Sequence, residues 1–222
     1  MSPLPALTVA RVDDTYGDEI KKMALIASSS QLAKETSVAE MGIGEDLNFN
    51  FFGWKGDALS IICQLGSAGM RKPVADRFNQ CLACCVAMRQ YWGISEVTMV
   101  AEGFVSLDPM ASKGKSLRDL FAAGKGVDEC ITVTHARTDV DGRSSVSVVA
   151  LPYSYNGKKI SWKRMLATPD KAVSVLRESM FPAMLVRSLA EKENLGMTRE
   201  IRDSVAQQLA DDGFEVLDFR VE

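Results

Sequence analysis

The sequence predicts an α+β fold, a mostly antiparallel sheet built from hairpins and packed against several helices. Three observations point there. Strand-like runs flank short turn signals at Lys55-Gly56-Asp57, Asp141-Gly142 and Asn156-Gly157, as β-hairpins require. Amphipathic helical stretches lie between and after them, and the order lacks the regular strand-helix-strand alternation of a parallel sheet. The 222 residues, 46% hydrophobic with a net charge of -3, describe one ordinary globular domain over 1–222.

Along the chain, residues 1–16 read as an extended segment. Gly17 to Met41 has helix-forming composition with Ile20, Met23, Ala24 and Ala27 on one side, and Ser28, Ser29 and Ser30 weaken its middle enough to suggest two helices. Leu47 to Trp54 and Ala58 to Leu65 form the first hairpin, followed by a loop over Gly66 to Pro73. A helix from Val74 to Trp92 comes next, stopped by Gly93 as a left-handed cap. Its stripe of Val74, Phe78, Leu82, Met88 and Trp92 includes Cys81 and Cys85, with Cys84 at the flank. Glu96 to Leu107 alternates as a strand, and Leu117 to Ala123 is a short helix ended by Gly124 and Gly126.

Cys130 to Thr138 and Ser144 to Leu151 form a second hairpin. A two-residue Asp141-Gly142 turn sets Val140 opposite Arg143 and His135 opposite Val148. Lys159 to Lys163 adds a third strand to this meander. Thr168-Pro169 opens a helix that Pro182 must kink or divide. Residues 198–222 make a last helix capped by Thr198, then Phe214 to Val221 as an edge strand or docking tail. Gly66 to Pro73 and Leu195 to Met197 are the only candidate hinges.

Composition narrows the function classes. The slightly acidic balance argues against nucleic-acid binding through bulk charge. Met1 to Tyr16 carries prolines and acids where a signal peptide needs a basic start and an apolar run. The lack of a long apolar run argues against a membrane span, so the expectation is a cytoplasmic protein. Five cysteines do not make a disulfide framework. Zinc requires about four ligands, and Cys63, Cys130 and His135 come singly from strands, so no metal and no cofactor is expected and the thiols read as packing.

Lys113-Gly114-Lys115-Ser116 follows an apolar strand and opens a helix, the setting of a phosphate-binding loop. Pro109 stands where that loop needs a glycine, and Ser116 with Asp119 also makes a capping box. The lone histidine, His135, lies on a face with Ile131, Val133 and Arg137, and Glu102 sits mid-strand between Val100 and Phe104. A buried Glu102 must meet a cation or donor, for which Arg89, His135 and Arg137 are the candidates. Glu102, His135 and Arg137 together form the candidate acid-base site of a hydrolase or nuclease-like enzyme.

Asp139-Val140-Asp141-Gly142 lacks the twelfth-position glutamate of a calcium loop, a place held by Ala150. No Gly-x-Ser-x-Gly or Gly-x-Gly-x-x-Gly signature occurs. Three apolar segments suggest association instead: the aromatic hairpin of Phe49, Phe51, Phe52 and Trp54, the Phe181 to Val186 run, and the final strand. The leading expectation is therefore a non-enzymatic binding or assembly protein, a homo-oligomer with an unknown protein partner. So motif-poor a chain fits an accessory protein of a virus or mobile element.

Overall fold

A computed structural model describes residues 17–41, 47–106, 117–139, 141–156, 159–167, 180–194 and 198–219. Its elements in order are α1 (Gly17–Met41), β1 (Asn50–Lys55), β2 (Ala58–Leu65), α2 (Ser67–Met70), α3 (Val74–Trp92), β3 (Glu96–Ser106) and α4 (Leu117–Ala122). Then follow β4 (Val127–Thr138), β5 (Ser144–Asn156), β6 (Lys159–Trp162), β7 (Leu166–Ala167), α5 (Met180–Leu189), α6 (Arg199–Asp211) and β8 (Phe214–Asp218). One antiparallel sheet runs in the order β6-β5-β4-β3-β1-β2-β8, with β7 added on β5. The α+β expectation holds, and helices cover both faces of the sheet.

On one face α3 and α5 pack over Phe51, Ile61, Val97, Met99 and Ala136. On the other α1 places Met23, Ile26 and Ala27 against Val100, Ile131, Val133 and Leu151. The two faces follow from the period of two along each strand. Val97, Met99 and Ala101 meet α3 and α5, while Glu96, Thr98, Val100 and Glu102 turn toward the α1 side.

Several local expectations are corrected. α1 is one continuous helix: Ser29 and Ser30 donate to the carbonyls of Leu25 and Ile26 one turn back, which keeps their hydroxyls inside the helical pattern. The Gly66 to Pro73 loop contains the single helical turn α2. Cys84 is not at a flank: its thiol lies against Cys63 of β2, and Cys81, Cys84 and Cys85 are all fully buried. Gly93 does cap α3, at φ 63° with its N-H donated to Arg89 O. Pro182 lies in α5, while residues 168–179, over which the expected kink or division would be read, lie outside the described residues.

The β4-β5 turn is one residue longer than expected. Thr138 pairs with Ser144, so His135 faces Ser147 and Val148 faces Thr134. Asp139 causes the shift, since its carboxylate accepts from the backbone N-H groups of Asp141 and Arg143, and Gly142 closes the turn at φ 77°. A one-residue slip of this kind exchanges every cross-strand neighbour. Val140, the Lys113-Gly114-Lys115-Ser116 loop, Thr168-Pro169 and the Leu195 to Met197 hinge lie outside the described residues.

The final segment is an edge strand: β8 pairs antiparallel with β2, Leu65 opposite Phe214 through Ile61 opposite Asp218. Thr198 caps α6 by accepting from Ile201 N at 3.5 Å. Among the described residues, no helix is long and apolar enough to cross a membrane.

Candidate functional site

Two charged clusters lie on the α1 side of the sheet, and each joins a strand carboxylate to a lysine of α1. The spacing that puts Met23 and Ala27 on the sheet-facing side of that helix continues to Lys34 and Val38. Lys34 is fully buried. Its Nζ lies 2.6 Å from Glu102 Oε1 and stands over the rings of Tyr153 and Tyr155 at 5.5 and 5.7 Å. Glu102 also accepts from the Tyr153 hydroxyl at 2.7 Å and from Leu47 N-H at 2.8 Å.

Burial by itself depresses the Lys34 ammonium, but the Glu102 hydrogen bond and charge, with Tyr155 beside it, outweigh that and raise its pKa. Burial, with the Glu102 charge next to it, pushes the Tyr153 hydroxyl far above the ordinary tyrosine range, so Tyr153 stays a donor. The partners of Glu102 are thus Lys34, Tyr153 and Leu47, not Arg89, His135 or Arg137. Arg89 instead bonds the carbonyls of Ile94 and Glu191.

The second cluster surrounds His135, which is fully buried. Trp54 Nε1 donates to Thr98 Oγ1 at 3.0 Å, and Thr98 Oγ1 is 2.8 Å from His135 Nδ1. Thr98 Oγ1 thus accepts from Trp54 and shares one further hydrogen bond with His135 Nδ1, in which either atom can be the donor. Nε2 faces Glu96 Oε2 at 3.3 Å without reaching hydrogen-bond geometry. Lys22 completes the group, donating to Glu96 Oε2 and to Gly56 O, both at 2.7 Å. Burial alone would raise the Glu96 carboxyl, but His135 and Lys22 hold it below the usual range.

Glu102 and His135 therefore do not share a site. Thr98 is the cross-strand partner of His135, and Glu102 lies four residues further along β3, about 13 Å at the rise of a strand. Arg137 pairs across the sheet with Glu96 and donates to Ser145 Oγ at 3.1 Å.

Beside Glu102 the sheet opens into a cavity of about 390 Å³. Its origin is a difference in strand length. β1 pairs with β3 only as far as Asn50 opposite Val100, whereas β3 runs on to Ser106 with β4 on one side. Glu102, Gly103 and Tyr153 form one wall, Phe49 and Phe181 another, and Arg77 and Arg118 reach in from α3 and α4. Of the three candidate catalytic residues, only Glu102 reaches this cavity among its described lining residues.

The five thiols gather no such chemistry. Cys63, Cys81, Cys84, Cys85 and Cys130 are free and buried, and burial pushes Cys81 and Cys130 up to about 12. Among the described residues no group of three or more His, Cys, Asp or Glu side chains is placed to hold a metal ion. Sequence reasoning missed Lys22, Lys34 and Arg77. The signal for Lys34 was present, since extending the helical spacing from Met23 and Ala27 reaches it.

Comparison with protein families, with characterised proteins and with solved structures found no match to this chain.

Proposed function

We propose that this chain is a non-enzymatic binding or assembly protein that associates with a second copy of itself through β8. The observation that carries this reading is the open outer edge of that strand. Among the described residues β8 closes one end of the sheet order and pairs with β2 alone, and Leu217 and Phe219 beside that edge are 58% and 46% exposed. Phe52, Ile62 and Leu217 are successive cross-strand partners on the α1 side of the sheet. α1 lies mainly over β3, β4 and β6, so this row continues the apolar core outward to the edge.

A second copy is the occupant that fits. Every pairing in the sheet is antiparallel, and an antiparallel edge is self-complementary about a twofold axis. Pairing centred on Leu217 sets Glu215 opposite Phe219 of the second copy and Val216 opposite Asp218, so no two acids face each other. The other two apolar segments offer less. Phe49 packs on Phe181 at 5.3 Å and Phe51 on Phe214 at 6.4 Å, which accounts for much of their area inside the protein.

The acid-base reading has weaker support. Three donors already occupy the Glu102 carboxylate, and neither His135 nor Arg137 joins it at the cavity.

Light scattering of the full chain tests the proposal. A discrete dimer at micromolar concentration that becomes monomeric in Leu217→Lys, with unchanged circular dichroism, is the expected result. A monodisperse monomer across that range, or a dimer indifferent to Leu217→Lys, overturns it.

A further inference from the structure

The cavity beside Glu102 carries a feature that self-association does not use. Arg77 Nε is buried and has no hydrogen-bond partner among the described residues, while its guanidinium carbon lies 6.0 Å from the centre of the Phe49 ring. Leaving a buried donor of a charged group unmade is costly. A guanidinium laid on an aromatic ring is also already oriented to receive a planar anion. Arg118 projects toward the same space from α4.

We propose that this cavity binds a small organic acid, an apolar or aromatic body ending in one carboxylate or phosphate group. The anionic end meets Arg77 and Arg118, and the body lies between Phe49 and Phe181. A volume of about 390 Å³ suits a molecule of that size. Glu102 competes little for the arginines, because Lys34 neutralises its charge and Tyr153 and the Leu47 amide take most of its acceptor capacity. Glu129 also lines the cavity, from β4.

Gly103 supplies an independent reason to read the space as a site. It lies inside β3, where glycine weakens a strand and often marks close approach of a ligand. A Cβ built on it meets nothing within 4 Å among the described residues, so a glycine here leaves the space beside β3 unfilled.

The test is calorimetric titration of the full chain with phenylacetate, phenyl phosphate and benzylamine, which share a ring and differ in charge. Saturable binding of at least one acid and none of the amine is expected, and the better acid identifies the group recognised. Arg77→Met should weaken that binding about tenfold or more, the size of one charged hydrogen bond. Gly103→Leu should abolish it while leaving circular dichroism and the thermal midpoint near those of the parent. Absence of binding by both acids overturns the proposal, as does equal binding of benzylamine or full affinity in Gly103→Leu. Should Arg77→Met fail to fold, Gly103→Leu and Arg118→Met carry the same decision. Scattering measures self-association separately, so either reading can fail without the other.

Discussion

Lys34 and Glu102 form a buried ion pair across the interface between α1 and the sheet, 2.6 Å apart with side chains 0% and 7% exposed. The two ends of this pair are not equivalent. Glu102 keeps two further donors and borders a cavity, whereas Lys34 has no exposure to solvent.

Removing the carboxylate should therefore cost more than removing the ammonium. Glu102→Gln leaves a buried cation without its counter-charge, and a loss of about 3–5 kcal/mol is expected. Lys34→Met should cost less, since Tyr153 and the Leu47 amide still serve Glu102. The double variant should recover part of the Glu102→Gln loss. Urea unfolding of the three proteins measures this, and strictly additive losses would show that the pair is not coupled.

The Glu96 cluster gives an acid-side dependence. Its carboxyl titrates below the ordinary value in the folded state, so its contribution is present above the unfolded value of about 4.3. That contribution disappears as pH falls through the lowered folded value. Glu96→Gln should flatten the fall in thermal midpoint across that acid window. Lys34, raised in the fold, acts with the opposite sign. Its contribution is present below about 10.4 and is lost as pH climbs through the raised value.

Gly53 should not tolerate a side chain. A Cβ there would lie 2.7 Å from Met88 Cε and 2.8 Å from the Cγ2 atoms of Ile61 and Ile94. Met88 comes from α3, Ile61 from β2 and Ile94 from the segment joining α3 to β3, and all three are fully buried, so they have little room to move. Gly53→Ala is expected to cost about 1–3 kcal/mol, read as a lower denaturation midpoint with an unchanged denaturant slope.

All five cysteines should be silent toward Ellman's reagent in the native protein. Their thiols are buried, and burial holds Cys81, Cys84, Cys85 and Cys130 above the ordinary range, which suppresses the reactive thiolate. Unfolding in guanidinium should release all five. Rapid modification of even one thiol before unfolding would contradict the packing described for α3 and β4.

Local chemistry was legible in the chain itself. Gly93 and Gly142 take positive φ, Thr198 caps its helix, and alternation in β3 separates Met99 from Val100, because these features depend on neighbours a few residues away. The partner of Glu102 was not legible. Lys34 stands 68 positions upstream, and only the docking of α1 across β3 and β4 brings the two together. The same holds for Cys84, whose thiol is buried against Cys63 of β2, a strand 21 positions away in sequence. It holds again for the cavity, which arises where β1 stops short of β3. Periodicity reports which side of an element is apolar. What covers that side, and where the cover ends, is set by contacts between segments far apart in the chain, so tertiary structure alone decided the charge pairs, the cavity and the exposed edge of β8.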